Sequence, residues 1–143
     1  KLVSVELAAL RLEFGVTCGS VGGPTGALLG GAAEQGLTLL RVQPAFPSGN
    51  CLRVARGLST PKMLVASVDR ATVSTATEVV VLADHTKLGM DTMCQTLSTQ
   101  QMAYLVTDWH ADRAILQRFR DCGVDVQVAP EPPGADRDSG VHV

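Results

Sequence analysis

The feature that most constrains this chain is the run Val79-Val80-Val81-Leu82-Ala83, five apolar residues in succession that lead directly into Asp84-His85-Thr86-Lys87-Leu88-Gly89. A short unbroken apolar run bounded by polar residues suits a strand covered on both faces by helices, as in a parallel sheet. The theme returns at residues 103–107 and again as Val124, Val126 and Val128. Between these two, residues 112–122 set Ile115, Leu116, Phe119 and Cys122 on one helical face, and Gly123 stands where a helix-ending glycine belongs. Strand and helix in alternation predict an α/β fold with right-handed βαβ crossovers, and in such folds ligands sit at the carboxyl ends of the strands.

The first half is read on the same principles. Residues 2–13 have helical spacing and good helix formers, and residues 16–21 have strand character. Gly22, Gly23, Pro24 and Gly26 form a turn cluster, followed by a helix over about 31–40 and a short strand over 42–46. Residues 47–60 read as a long loop. Pro61 suits the first turn of a helix capped by Thr60 or Ser59, with Leu64, Val68 and Ala71 on its apolar face and an end near Ala76. Residues 84–99 read as a further loop, and residues 130–143, rich in Pro, Gly and Asp, as a disordered tail.

A chain of 143 residues with 45% hydrophobic content is sized for one globular domain, taken as residues 1–129. Its net charge of −2 gives it no footprint for holding a phosphate backbone, so DNA binding by this segment itself is not expected. Cys18, Cys51, Cys94 and Cys122 lack metal-ligand spacing and read as buried, reduced thiols of a cytoplasmic protein. No apolar stretch reaches the roughly 18–20 residues of a membrane span, and no signal peptide is visible, so no membrane partner is expected. The chain starts at Lys1 inside a helical pattern, as a segment of a longer protein would.

Candidate chemistry gathers after the apolar run. Lys87 can meet a phosphate as a point charge, Asp84 can accept from sugar hydroxyls, and Thr86 can donate. The same residues equally suit an ordinary loop in which Asp84 caps a turn and Lys87 is solvated. Thr60 lies at a loop-to-helix junction where free N–H groups attract anions, or is a plain cap. Arg70 either reaches a phosphate or lies on a solvated face. Gly22 and Gly23 let a ligand approach the backbone or simply turn the chain, and Asn50 is similarly open. No nucleophile stands beside a base, and there is neither a P-loop nor G-x-G-x-x-G nor a metal constellation; no enzyme, cofactor or metal is expected.

Taken in order, Val21-Gly22-Gly23, Gly26-Ala27-Leu28-Leu29-Gly30, Ala45-Phe46, Asn50, Gly57-Leu58-Ser59-Thr60-Pro61, Asp84-x-Thr86-Lys87-Leu88-Gly89 and Leu105-Val106-Thr107-Asp108 resemble the C-terminal sensor domain of DeoR/GlpR-type bacterial transcription regulators over residues 16–129. The most specific part is Asp84-x-Thr86-Lys87-Leu88-Gly89, similar to the family's D-x-S-K-F-G. The resemblance implies a three-layer, mostly parallel sheet like that of ribose-5-phosphate isomerase and CoA transferases. It also implies a homo-oligomeric repressor in which a phosphorylated sugar or related metabolite, held by Gly22, Gly23, Asn50, Thr60, Arg70, Asp84, Thr86 and Lys87, loosens DNA binding by an N-terminal winged helix-turn-helix.

That winged helix, and the family's first strand-helix unit with its phosphate loop, are expected upstream of this sequence. Without that unit a sheet edge is open to pairing with another chain. Where the family shows E-A-x-V-K-R, this chain keeps Ala66, Val68 and Arg70 but has Asp69 in place of the Lys. At about 4 Å and an effective dielectric of about 20, that charge opposes a phosphate by about 4 kcal/mol. A sugar-phosphate isomerase, for which Asp84 is the one carboxylate nominated as base, and a domain kept only for oligomerisation are the alternatives.

Overall fold

The computed structural model describes residues 17–22, 26–47 and 49–132. The helix expected over residues 2–13, Gly23 and most of the C-terminal tail lie outside the described residues. The elements run β1 (Ser20–Gly22), β2 (Ala27–Leu29), α1 (Gly31–Thr38), β3 (Cys51–Arg53), β4 (Gly57–Thr60), α2 (Met63–Thr75), β5 (Val80–Leu82), β6 (Cys94–Leu97), β7 (Tyr104–Thr107), α3 (Arg113–Asp121) and β8 (Asp125–Val128). Single 3-10 turns at His85–Lys87 and Thr99–Gln101 flank β6.

The apolar run forms β5, and it pairs in parallel with β7, which pairs in parallel with β8, so Val81, Leu105 and Val126 lie side by side. Val81 and Leu105 are fully buried, whereas Leu82, pointing the other way, is 55% exposed. The expectation of cover on both faces is therefore corrected: among the described residues one face of this sheet is core and the other is open. Helix α3 begins with Asp112, whose carboxylate accepts from the Ala114 N–H. It buries Leu116 and Phe119 and ends in paired bonds from Gly123 N–H to the Arg120 carbonyl and from Val124 N–H to that of Phe119. Gly123, at φ 86°, supplies the left-handed residue that this closing motif requires.

Residues 42–46 do not make a strand of their own. Val42 and Ala45 bridge in parallel to Ala76 and Val79, and Pro44 between them has no N–H to give a ladder.

The expected loop over 47–60 is instead a hairpin. Cys51 faces Ser59 and Arg53 faces Gly57, and a turn closed by Arg56 N–H on the Arg53 carbonyl connects them. So short a connection permits only antiparallel pairing. β6, which emerges from the second expected loop, pairs antiparallel on the far side of β4, making β4 a central strand buried at all four positions. Gly57 at φ 76° sits against β6 so closely that a Cβ there would overlap the Leu97 carbonyl. The described residues are thus α/β with mixed pairing, parallel in β5-β7-β8 and antiparallel in β3-β4-β6 and β1-β2, rather than mostly parallel.

Two further expectations change. α2 starts after Lys62 without a side-chain cap, because Thr60 is the last residue of β4. Its buried face is Ala66 and Val73, with Asp69 between them, while Leu64 is 58% exposed. α1 packs against α2, and fully buried Ala33 and Ala66 show why small residues occupy these helices' inner faces. The four cysteines are free, but none is buried: Cys18 and Cys122 are exposed and Cys51 and Cys94 half-buried. Cys122 has passed the last turn of α3 and so leaves its apolar face.

Two substitutions test this packing by chemical denaturation. Phe119→Ala, at a site with no exposure, is expected to cost about 3–5 kcal/mol. Gly57→Ala combines left-handed strain with overlap on a neighbouring backbone and is expected to cost at least about 2 kcal/mol.

Candidate functional site

Parallel pairing of β5 with β7 brings their carboxyl ends together, so Asp84 and Asp108 emerge next to each other. Each organises a turn. The Asp84 carboxylate accepts from the Thr86 N–H at 2.9 Å and from the Thr86 hydroxyl, and Lys87 Nζ lies 3.8 Å away. The Thr86 hydroxyl, its N–H and the Lys87 charge hold the Asp84 carboxyl below the ordinary carboxylate range.

Asp108 accepts from the His85 N–H at 2.7 Å and the His110 N–H at 2.9 Å, with His85 Nδ1 at 2.9 Å. Desolvation opposes its ionisation, but these donors outweigh it and bring its pKa to about 2. His85, Asp108 and His110 offer donor atoms within 4.8 Å of one another, a trio that the separation of 85 from 108 and 110 hides in sequence. Since both Asp108 oxygens already accept hydrogen bonds, the trio's evident work is to pin the 3-10 turn onto the end of β7.

The other end of that turn reaches the hairpin. Gly89 N–H donates to the Leu52 carbonyl at 2.8 Å. This sets Lys87 at a cleft of about 440 Å³ that Ala27, Asn50, Thr60, Lys62 and Asp69 also line, a volume within the roughly 300–1,000 Å³ usual for small-molecule sites. The Thr60 hydroxyl donates to Asn50 Oδ1 at 3.0 Å. That bond holds the Asn50 side chain at the cleft, and in this arrangement Asn50 Nδ2 has no partner among the described residues.

Of the sequence candidates, then, Asn50, Thr60 and Lys87 meet in one cleft. Asp84 and Thr86 act one step away, through the turn that carries Lys87. Arg70 does not join them. It donates from Nη1 to the Gln95 carbonyl at 2.6 Å, tying α2 to β6, and borders a separate depression with Arg56 and Gln101. Gly22 lies in β1 close against the Leu29 side chain, and Gly23 is outside the described residues.

Two cleft residues were not candidates. Lys62 carries no motif and is found only because β4 ends at its doorstep. Asp69 is the more telling. One turn beyond Ala66 on the inner face of α2, it has a buried Oδ2 without a hydrogen-bond partner among the described residues. Burial pushes its pKa up to about 6 against the opposing effect of the Arg70 charge. Its place opposite the family's Lys, one turn beyond Val65 on the side of α2 that lines the cleft, is the signal that points to it.

An α/β chain with a small cleft beside a parallel strand end, lined by Ala27, Pro61 and Val65 together with Asn50, Thr60, Lys62 and Lys87, has the character of a ligand-binding module. Comparison with known families specifies which. The model of the DeoR C-terminal sensor domain matches residues 3–109, and the chain belongs to that family. Among curated proteins it is 30% identical over 124 residues to the HTH-type transcriptional regulator GlpR of Haloferax volcanii, covering 87% of this chain and 49% of that protein. It is 25% identical over 84 residues to the HTH-type transcriptional regulator GolR of Listeria innocua serovar 6a, covering 59% of this chain and 33% of that protein. The chain therefore spans half or less of the length of these relatives. The expectation of a non-enzymatic sensor accords with the family's description and with both names. No helix among the described residues is long and apolar enough to cross a membrane.

Asp69 gives the cleft a measurable signature. With its pKa raised from 3.8 to about 6, the folded state holds this proton more tightly than the unfolded chain. Its contribution is present below about pH 4 and is lost as pH rises through 6. Asp69→Asn is expected to stabilise the protein at pH 8 by about 1 kcal/mol after allowance for solvent screening, and to change little at pH 4; thermal unfolding at the two pH values checks the sign.

Proposed function

We propose that this chain is the effector-binding and oligomerising part of a sugar-responsive transcription repressor, cytoplasmic in location, whose effector is a phosphorylated sugar or a related metabolite. The observation that carries the reading is the convergence of Lys87, Lys62, Thr60 and Asn50 on one cleft. Two lysines supply charge for an anionic group, and Asn50 Nδ2, without a partner among the described residues, and the Thr60 hydroxyl supply hydrogen bonds for the neutral part of a ligand. The three-layer architecture of the isomerase and CoA transferase folds is part of the same reading, with residues outside the described set completing it. So is an N-terminal winged helix-turn-helix that contacts DNA.

The effector acts by binding one arrangement of the oligomer better than another, since only a difference in affinity moves the DNA-binding equilibrium. The open face of the β5-β7-β8 sheet, with Leu82 at its edge strand, gives oligomerisation an apolar surface to use. An isomerase would need a carboxylate basic enough to take a proton from substrate, and Asp84 is poorly suited: its Oδ1 is engaged by Thr86, its lowered pKa makes it a weak base, and it does not line the cleft.

The test is a thermal-shift screen of the full-length protein against sugar phosphates and their unphosphorylated counterparts. A ligand at 100 times its Kd stabilises by about 2.7 kcal/mol. One phosphorylated compound is expected to shift the transition, and Lys87→Ala to weaken it tenfold or more without altering the unliganded midpoint by more than about 0.5 kcal/mol. Binding that is indifferent to Lys87→Ala would remove the cleft from the reading.

A further inference from the structure

We propose that Asp69 is the specificity-determining residue of the cleft, accepting hydrogen bonds from the hydroxyl groups of a polyol phosphate whose anionic end lies toward Lys87 and Lys62. The inference rests on the reading of the cleft as an effector site and adds the chemistry of the effector's other end. Asp69 sits on the inner face of α2 between Ala66 and Val73 and lines the cleft, with one oxygen buried and unpartnered among the described residues. A buried carboxylate oxygen without a donor is costly, and a ligand that brings a donor removes that cost on binding.

Four classes of group could meet it. A phosphate would be repelled by the like charge. A metal ion would find Asp69 as the one carboxylate lining the cleft among the described residues, with Lys62 and Lys87 opposing it. An ammonium group would meet the same two lysines. A hydroxyl carries no charge to be repelled, and an ionised carboxylate can accept from two vicinal hydroxyls at once. Charge is thus sorted within one small volume: cations for the anionic end, and the carboxylate with Asn50 and Thr60 for the hydroxylated end. Of the charged groups near Asp69, Arg70 is adjacent in sequence but turned to Gln95, Lys62 precedes the helix and Lys87 lies on the cleft's other wall, while α1, packed on the same helix, brings Glu34.

The experiment is isothermal titration of the full-length protein, wild type, Asp69→Asn and Asp69→Leu, with methyl phosphate, glycerol 3-phosphate, ribose 5-phosphate, glucose 6-phosphate and glucosamine 6-phosphate. At least one polyol phosphate is expected to bind wild type tenfold or more tightly than methyl phosphate. Asp69→Asn reduces that advantage several-fold and Asp69→Leu abolishes it, while methyl phosphate binds both variants as well as or better than wild type. If the variants strengthen or weaken every phosphate alike, Asp69 acts only through its charge and the proposal falls, with the effector reading intact. Selective loss of glucosamine 6-phosphate would mean an ammonium partner and would overturn the hydroxyl assignment. If wild type binds none of the five, the proposal and the phosphosugar reading fail together.

Discussion

The parallel register of β5 on β7 is the constraint from which the functional end of this protein follows. Leu82 lies beside Val106, and the Ala83 N–H donates to the Val106 carbonyl at 3.1 Å, so the two chains leave the sheet with Asp84 and Asp108 as neighbours. Everything beyond depends on that placement. Asp108 takes the His110 N–H locally, but it can collect the His85 N–H only because β7 ends level with β5, and with His85 fixed, the 3-10 turn delivers Lys87 to the cleft and Gly89 to the Leu52 carbonyl. A slip of one residue in this pairing would turn Val81 and Leu105 out of the core and take the turn with them. The core and the site are held by one set of contacts.

The antiparallel half supplies the opposite wall by different means. β4 is buried along its length between β3 and β6, which fixes Thr60 at its end, and Thr60 in turn orients Asn50. α2 then crosses behind with Asp69 facing inward. Polar groups on buried elements carry a desolvation cost that has to be offset by partners. Here Ser59 and Thr96 meet it with backbone bonds: the Ser59 hydroxyl accepts from the Thr92 N–H, and that of Thr96 donates to the Leu58 carbonyl. Among the described residues Asp69 Oδ2, like Asp91 Oδ1 and Thr107 Oγ1, has no such partner, and of these three only Asp69 lines the cleft.

What could be read in the sequence follows the range of the forces involved. β5, β7, α3 and the Gly123 stop were legible because each announces itself within ten residues, by an apolar run, a 3.6 period or a cap. The β3-β4 hairpin and β6 were read as loops, since Cys51-Leu52-Arg53 and Gly57-Leu58-Ser59-Thr60 are short, mixed in polarity and become strands only by pairing across the sheet. Asn50, Thr60 and Lys87 were legible through resemblance and their position at element ends. Arg70 and Asp69 exchanged roles for a geometric reason: adjacent helical residues differ by about 100° in direction, so only one of the two can face the cleft. The neighbours decide which: Asp69 shares the side of α2 that brings Lys62 and Val65 to the cleft, whereas Arg70 shares the side that brings Met63 and Val73 to the depression beside β6.

The position of Lys87 also bears on how a signal would leave the site. It closes a turn fastened to β7 by the bonds between His85 and Asp108, and two residues further on Gly89 fastens the chain to β3. An anion drawn to Lys87 therefore pulls on a segment that bridges the antiparallel and parallel sheets, not on a free loop. The Lys87–Asp84 pair is long at 3.8 Å and exposed, so little is lost when the lysine turns from Asp84 to a ligand. Asp84 would keep its Thr86 donors and the turn its shape, while the position of one sheet against the other is biased by the ligand's charge. On the proposed reading, such a bias would reach DNA only through an assembly with two packings that differ at that junction, and the sheet face carrying Leu82, exposed among the described residues, lies beside it.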